Sequence, residues 1–198
     1  MSGVLGYKRA RVHALARARS VAEDAAEVVR FWRAAQADWF SHDPNFDRRF
    51  HERFFDLYLS AARCEHDEWA GTSEGALALL VLLDQFPRNA FRGTARMYVT
   101  DAHARRIARW ALDADLDSRV RPELRLFFYL PFAHSEDLDD QRLSVELNRA
   151  LGHPWVDHAL GHAAIIERFG RFPHRNWLLG RRTTDAEQDF LDQGGFAG

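Results

Sequence analysis

From residue 20 onward, apolar residues return every three or four positions, and the strict alternation of a half-buried strand is scarce. Phe46, Phe50, Phe54, Leu57, Tyr58 and Ala61 are the clearest case, since that spacing puts all six on one face of a helix. Start and stop signals cut the rest into similar lengths. Ser20 and Glu23 form a capping box that opens a first helix, with Val28, Val29, Trp32 and Trp39 as apolar positions. Asp43-Pro44 supplies an N-cap and an N1 proline for the second helix. Thr72 or Ser73 caps the apolar third, which Pro87 is expected to end. A fourth runs from about 100 to 116 through Ile107, Trp110 and Ala111. Pro122 starts a short aromatic helix that Pro131 is expected to stop. Helices over about 137–151 and 154–169 follow, and a capping box at Thr184 and Glu187 opens the last, which Gly194-Gly195 ends. The connections are short, and no Ser/Gly linker divides the chain. The expectation is an all-α fold, one domain over 20–198 of about seven to eight antiparallel helices, behind a basic, disordered tail at 1–19.

Composition narrows the function. With 46% hydrophobic residues, 15 Phe and 6 Trp against 12 Gly and 6 Pro in 198 residues, a disordered or collagen-like chain is excluded. The 27 basic and 29 acidic residues leave a net charge of -2, which argues against a surface built to grip nucleic acid. The longest apolar run, Ala76 to Leu83, is 8 residues, far below the ~20 of a spanning helix, so no membrane association is expected. The first 20 residues hold five basic side chains and no acid, and lack the apolar stretch of a secretory signal. Cys64 is the only cysteine, which excludes an internal disulfide and a cysteine metal cluster and fits a reducing cytoplasm.

Several polar groups stand out against this apolar pattern. Asp84 and Gln85 sit at the end of the most hydrophobic helix, where a carboxylate opposes the helix dipole and needs a partner. Arg88, Arg92 and Arg175 are the candidates. Residues 168–182 hold Arg168, Arg171, Arg175, Arg181 and Arg182 with His174 and no acid, a pattern suited to carboxylates or phosphates. Nearby, His134 to Gln141 packs four acids into eight residues, so the two segments either neutralise each other or meet a ligand. His158 and His162 lie four apart on one helix; with His134, His174 or Glu136 they could ligate a metal, although the apolar neighbours of His162 suit a core histidine. Ser135 precedes a helical run and reads as an N-cap rather than a nucleophile. The stretches Phe86-Pro87-Arg88-Asn89 and Phe172-Pro173-His174-Arg175-Asn176 echo each other, each after a long helix.

Three motifs carry a family resemblance. They are Leu83-Asp84-Gln85-Phe86-Pro87-Arg88-Asn89 with Phe91-Arg92-Gly93-Thr94, then Leu130-Pro131-Phe132-Ala133-His134-Ser135-Glu136-Asp137, then Phe169-Gly170-Arg171-Phe172-Pro173-His174-Arg175-Asn176 with Leu179-Gly180-Arg181. In this order they closely resemble the bacterial domain-of-unknown-function family numbered 924, over about residues 28–191. The opening Arg30-Phe31-Trp32-Arg33 departs from the more aromatic start expected there. The resemblance implies a TPR-like superhelical arrangement and no established reaction. Its polar motif positions are Asp84, Gln85, Arg88, Asn89, Arg92, His134, Ser135, Glu136, Gln141, His162, Arg171, His174, Arg175 and Asn176. The leading expectation is a pocket where the third helix end, segment 134–141 and loop 170–181 meet. Arg171, Arg175 and Arg88 would hold a small anion there, and His134, Glu136 or His174 would move protons. No cofactor or resident metal is expected. The alternatives are a scaffold that binds a peptide, protein or second copy in a concave groove, and a His-based metalloenzyme.

Overall fold

A computed structural model describes residues 23–196, and no strand occurs among them. The basic tail and Ser20 of the first capping box lie outside the described residues. Helix α1 covers 23–34. It is followed by α2 (Pro44–Ala62), α3 (Ser73–Leu80), α4 (Phe86–Ala90), α5 (Asp101–Asp113), α6 (Leu126–Ala133), α7 (Leu138–Leu151), α8 (Trp155–Phe169) and α9 (Asp185–Asp192), with short 3-10 turns between several of them. The all-helical class read from the periodicity is the fold observed. Asp43 caps α2 by accepting the Asn45 N–H, Thr72 rather than Ser73 caps α3, and the Thr184–Glu187 capping box is formed.

The aromatic stripe of α2 is the lining of the core. Phe46, Phe50 and Phe54 are buried and meet Phe31, whose ring lies 5.9, 5.4 and 5.1 Å from theirs. Trp32 is fully buried and packs edge-on to Phe127 of α6 at 5.3 Å, while its carbonyl accepts the Trp39 indole N–H at 2.7 Å. Such ring pairs add about 0.5–1.5 kcal/mol each beyond their buried area. Successive elements stack on one another: α5 against α3 and α6, α6 against α7, α7 against α8. The short α7–α8 connection makes that pair antiparallel neighbours. One hydrophobic cluster runs from α1 to α6 and takes Leu143, Leu147 and Leu151 of α7 on its flank. A second, smaller one holds Ile165, Ile166 and Phe172, with Phe169 and Phe190 against it.

Two expected helix breaks are absent. Pro87 does not end the third helix: residues Val81–Gln85 form a π-turn, closed by the Phe86 N–H on the Val81 carbonyl, and α4 continues the rod to Ala90. The cost falls on the Leu83 carbonyl, which Pro87 has no N–H to satisfy. Thr100 Oγ1 donates to it at 2.6 Å instead. Pro131 likewise sits inside α6. That helix is apolar all round, so burial on every side holds it in place of backbone regularity. Gln141 of α7 closes its end by donating from Nε2 to the carbonyls of Phe132, Ala133 and Ser135.

Candidate functional site

The π-turn is the origin of the site. An extra residue in one turn rotates the following side chains relative to a plain α-helix, and such turns concentrate at functional positions. Here it sets Asp84 against α6 and keeps Gln85, Arg88 and Asn89 on one face of the rod. Arg88 Nη1 donates to the Asp84 carbonyl at 2.8 Å and Asn89 Nδ2 to the Gln85 carbonyl at 2.9 Å, so the loosened backbone is satisfied by side chains of the next turn.

Asp84 is only 1% exposed. Its carboxylate accepts from Gln85 Nε2 at 2.6 Å and from His134 Nδ1 at 2.8 Å, and lies 3.0 Å from Arg88 Nη1. Burial alone would push its pKa up, but the ionised Arg88 and the hydrogen bonds outweigh that and hold Asp84 as the carboxylate. His134 is pulled below the ordinary histidine value by burial and then by Arg88, against the opposing pull of Asp84. The resulting pair is a neutral imidazole whose Nδ1–H is held by a carboxylate, leaving Nε2 as the acceptor. This is the arrangement of a general base with its orienting group. Arg88 is consumed structurally, because Asp101 at the start of α5 takes its fork at 2.9 and 3.1 Å.

Beside this pair lies a cavity of about 490 Å³ between α6 and α8, at the seam of the two hydrophobic clusters. Its polar end is made by Gln85, Arg88, Asn89, Arg92, Tyr98, His134, His162, His174 and Arg175 with Phe172 among them, and its other walls are mainly Trp39, Phe40, Leu126, Leu130 and Trp155, with Ser41, His42, Asn148 and His158 between. Phe196 covers the polar end, with its ring 4.6 Å from His162 and 5.1 Å from His174. His162 is held down to about 3, chiefly by burial, then by His134 and Arg175. His174 is held down to about 4 by burial and then by Arg175. Both rings have an Nδ1 without a hydrogen-bond partner.

Arg175 is the unusual member. The loop that carries it leaves α8 through Gly170, whose φ of +68° is the left-handed conformation favourable to glycine, and turns through a 3-10 segment at Pro173–Arg175. Glu136 anchors this loop by accepting the Phe172 N–H at 2.9 Å and the Arg181 fork at 2.9 and 3.2 Å. The Arg175 guanidinium carbon then lies between the Tyr98 and Phe172 rings, 4.6 and 4.4 Å from their centroids. The residue is 7% exposed, its Nε has no partner, and its nearest carboxylate oxygen is Asp101 Oδ2 at 4.0 Å. Burial and then Arg88 lower its pKa, with Asp101 opposing. The two Phe-Pro echoes of the sequence thus bring Arg88 and Arg175 to one aspartate, Asp101, at 3.1 and 4.0 Å from its Oδ2.

Other expected site residues lie elsewhere. Arg171 does not join Arg88 and Arg175: Glu187 of α9 takes its fork at 2.6 and 2.8 Å, and the Arg182 carbonyl accepts from it at 2.9 Å. Glu136 is spent on the loop anchor and Gln141 on the α6 end. Ser135 donates to Asp140 at 2.7 Å and accepts the Asp137 N–H at 3.2 Å, while Asp137 is the N-cap of α7. Asn176 is fully buried behind the wall, and Arg92 lines the cavity but is paired with Asp47. The acidic segment and the arginine-rich loop therefore meet at Glu136–Arg181, whereas Asp140 pairs with Arg109 and Arg105 of α5. His158 and His162 both line the cavity, yet no third ligand gathers with them among the described residues. Among the described residues, the one cluster of His, Cys and acidic side chains with atoms within metal-ligating reach of one another is Cys64, Asp67 and His103.

Sequence reading missed Asp101, Tyr98 and the aromatic walls. Asp101 resembles any acid in a first helical turn, and Trp39, Leu126 and Trp155 resemble ordinary core residues.

The comparisons with known proteins agree with this fold. The solved structure of the protein of unknown function ATU0120 from Agrobacterium tumefaciens shares 50% sequence identity; the match covers 87% of this chain and 99% of that one, with a TM-score of 0.86. No curated protein matches the chain. The family model described as a bacterial protein of unknown function, DUF924, matches residues 28–195, and with the three motifs now seated around one cavity, the chain belongs to that family.

Proposed function

We propose that this protein binds a small anionic molecule in the cavity between α6 and α8, with Arg175 as the anchor and His134 as the proton acceptor. One observation carries the reading: Arg175 is only 7% exposed, its Nε is buried without a hydrogen-bond partner, and its Nη1 meets a carboxylate oxygen only at 4.0 Å, on Asp101, so the fork has donors left for a ligand. A buried N–H without an acceptor costs about 1–3 kcal/mol, which a ligand oxygen would recover. The position of Asp84 behind His134 adds a base whose Nε2 makes no hydrogen bond to the described residues. The fork of Arg88 is already bound by Asp84 and Asp101, so the anion is left to Arg175. The clustering of charged and histidine motif residues at one end of the cavity favours this reading over a peptide groove, which calls for a long exposed apolar surface.

Titration calorimetry and thermal shift with acetate, phosphate and sulfate test it, using wild type, Arg175→Met and Arg171→Ala. At least one anion should bind and raise the melting temperature. Arg175→Met should weaken that binding tenfold or more, and Arg171→Ala should leave it unchanged while loosening α9. Equal binding by wild type and Arg175→Met would refute the assignment.

A further inference from the structure

We propose that the ligand is an amphipathic monoanion: a carboxylate on an aliphatic or aromatic body, bound head-first at Arg175 and running along α6 to Trp155. The inference rests on the anion-pocket reading and goes on to the chemistry of the whole molecule. Two features of the cavity carry it.

The first is its polarity gradient. Leu126, Leu130 and His134 follow one another along α6 on the cavity side, and Trp155, Ala159 and His162 do so along α8. At 1.5 Å per residue, the path from Leu126 to His134 is about 12 Å long. One end is built mainly on Phe40 and Trp155, with ring centroids 5.5 Å apart, and carries His158 and His42 beside them but no carboxylate or guanidinium. The other end holds Arg175, His134, His162 and His174. A bare phosphate or acetate would fill only that second end and leave the apolar trough wet. A molecule with a charged head and an apolar body several carbons long matches both.

The second is the charge balance at the head. Asp84 and Asp101 carry two negative charges, Arg88 and Arg175 carry two positive ones, and the three imidazoles are held neutral by burial. Asp47 separately neutralises Arg92. The polar end is therefore balanced in charge and short of acceptors. A single carboxylate supplies two acceptor oxygens in the plane of one guanidinium fork for one unit of charge. A phosphate dianion would add two charges to a buried site that has no net positive charge to meet them.

The test is a homologous series on the full-length protein, read by calorimetry and by the fluorescence of the cavity tryptophans: acetate, butanoate, hexanoate, octanoate and decanoate, with octanol and octyl phosphate as head-group controls. Affinity should rise roughly three- to fourfold for each added methylene, the equivalent of about 0.8 kcal/mol per buried methylene, and level off once the chain exceeds the trough. Octanol and octyl phosphate should bind at least tenfold more weakly than octanoate. Arg175→Met should reduce octanoate to the level of octanol. Trp155→Ala, at a partly exposed position, should flatten the chain-length gain while leaving acetate binding intact. If acetate or phosphate binds through Arg175 and chain length has no effect, the amphipathic ligand is refuted and the anion pocket stands. Octanol or octyl phosphate binding as well as octanoate overturns the monoanionic head. If no acid of any length binds, both readings fall together.

Discussion

Acidification should unfold this protein through its cavity histidines. His162 and His174 are held at about 3 and about 4 in the native state, in both cases first by burial. In the unfolded chain both titrate near the ordinary value of about 6.5. A native pKa below the unfolded one means that the unfolded state takes up the proton first. The stability is therefore complete above about pH 6.5 and is lost as the pH falls toward the native values. The limiting slope is about 1.4 kcal/mol per pH unit for each ring, so between pH 6.5 and 5 the two together would cost about 4 kcal/mol. Water entering the cavity reduces this, and about 2 kcal/mol is the better figure, still a large share of a typical 5–15 kcal/mol. With a urea dependence near 2 kcal/mol per molar, the midpoint should drop by about 1 M from pH 7.5 to pH 5. Far-UV circular dichroism through urea titrations at both pH values measures this directly. His162→Gln and His174→Gln should each remove a sizeable part of the drop and the double variant more than either, the rest coming from His134, which burial also lowers. A wild-type midpoint that is the same at both pH values, or a double variant that keeps the whole drop, would refute the reasoning.

Asp84→Asn should destabilise the fold by about 3 kcal/mol, because it leaves the buried Arg88 with one carboxylate instead of two. A double-mutant cycle with Arg88→Met in urea denaturation should return a coupling energy above about 1 kcal/mol, and additivity would remove the pair from the account. Thr100→Val strips the Leu83 carbonyl of its donor across the π-turn and should cost about 1–3 kcal/mol with little change in shape. Thr184→Ala opens the α9 capping box and should cost about 1 kcal/mol, visible as faster amide exchange confined to α9 and the Arg171–Glu187 contact.

Much of the fold was legible in the sequence because its cues are local. The Phe46–Phe50–Phe54 stripe, the Asp43-Pro44 start and the Thr184–Glu187 box each act within one or two helical turns, and each is found where its spacing places it. The expectations that failed were also local rules, overruled by distant contacts. Pro87 and Pro131 are helix breakers by propensity, yet Thr100 replaces the lost donor at the first and full burial holds the second.

The candidate site divides along the same line. Sequence by itself determined an all-helical chain, the crowding of Asp, His and Arg at helix ends, and the two Phe-Pro-Arg-Asn echoes, because periodicity and residue type are properties of neighbouring positions. Only the tertiary structure decided which charges meet. Arg171, central to the sequence expectation, is taken by Glu187, Glu136 is taken by Arg181, and Asp101, which carries no local signal, binds Arg88 and stands 4.0 Å from Arg175. Ion pairing depends on distances between segments tens of residues apart, and a buried donor left without an acceptor, as Arg175 Nε is, can be recognised only once every other partner has been placed.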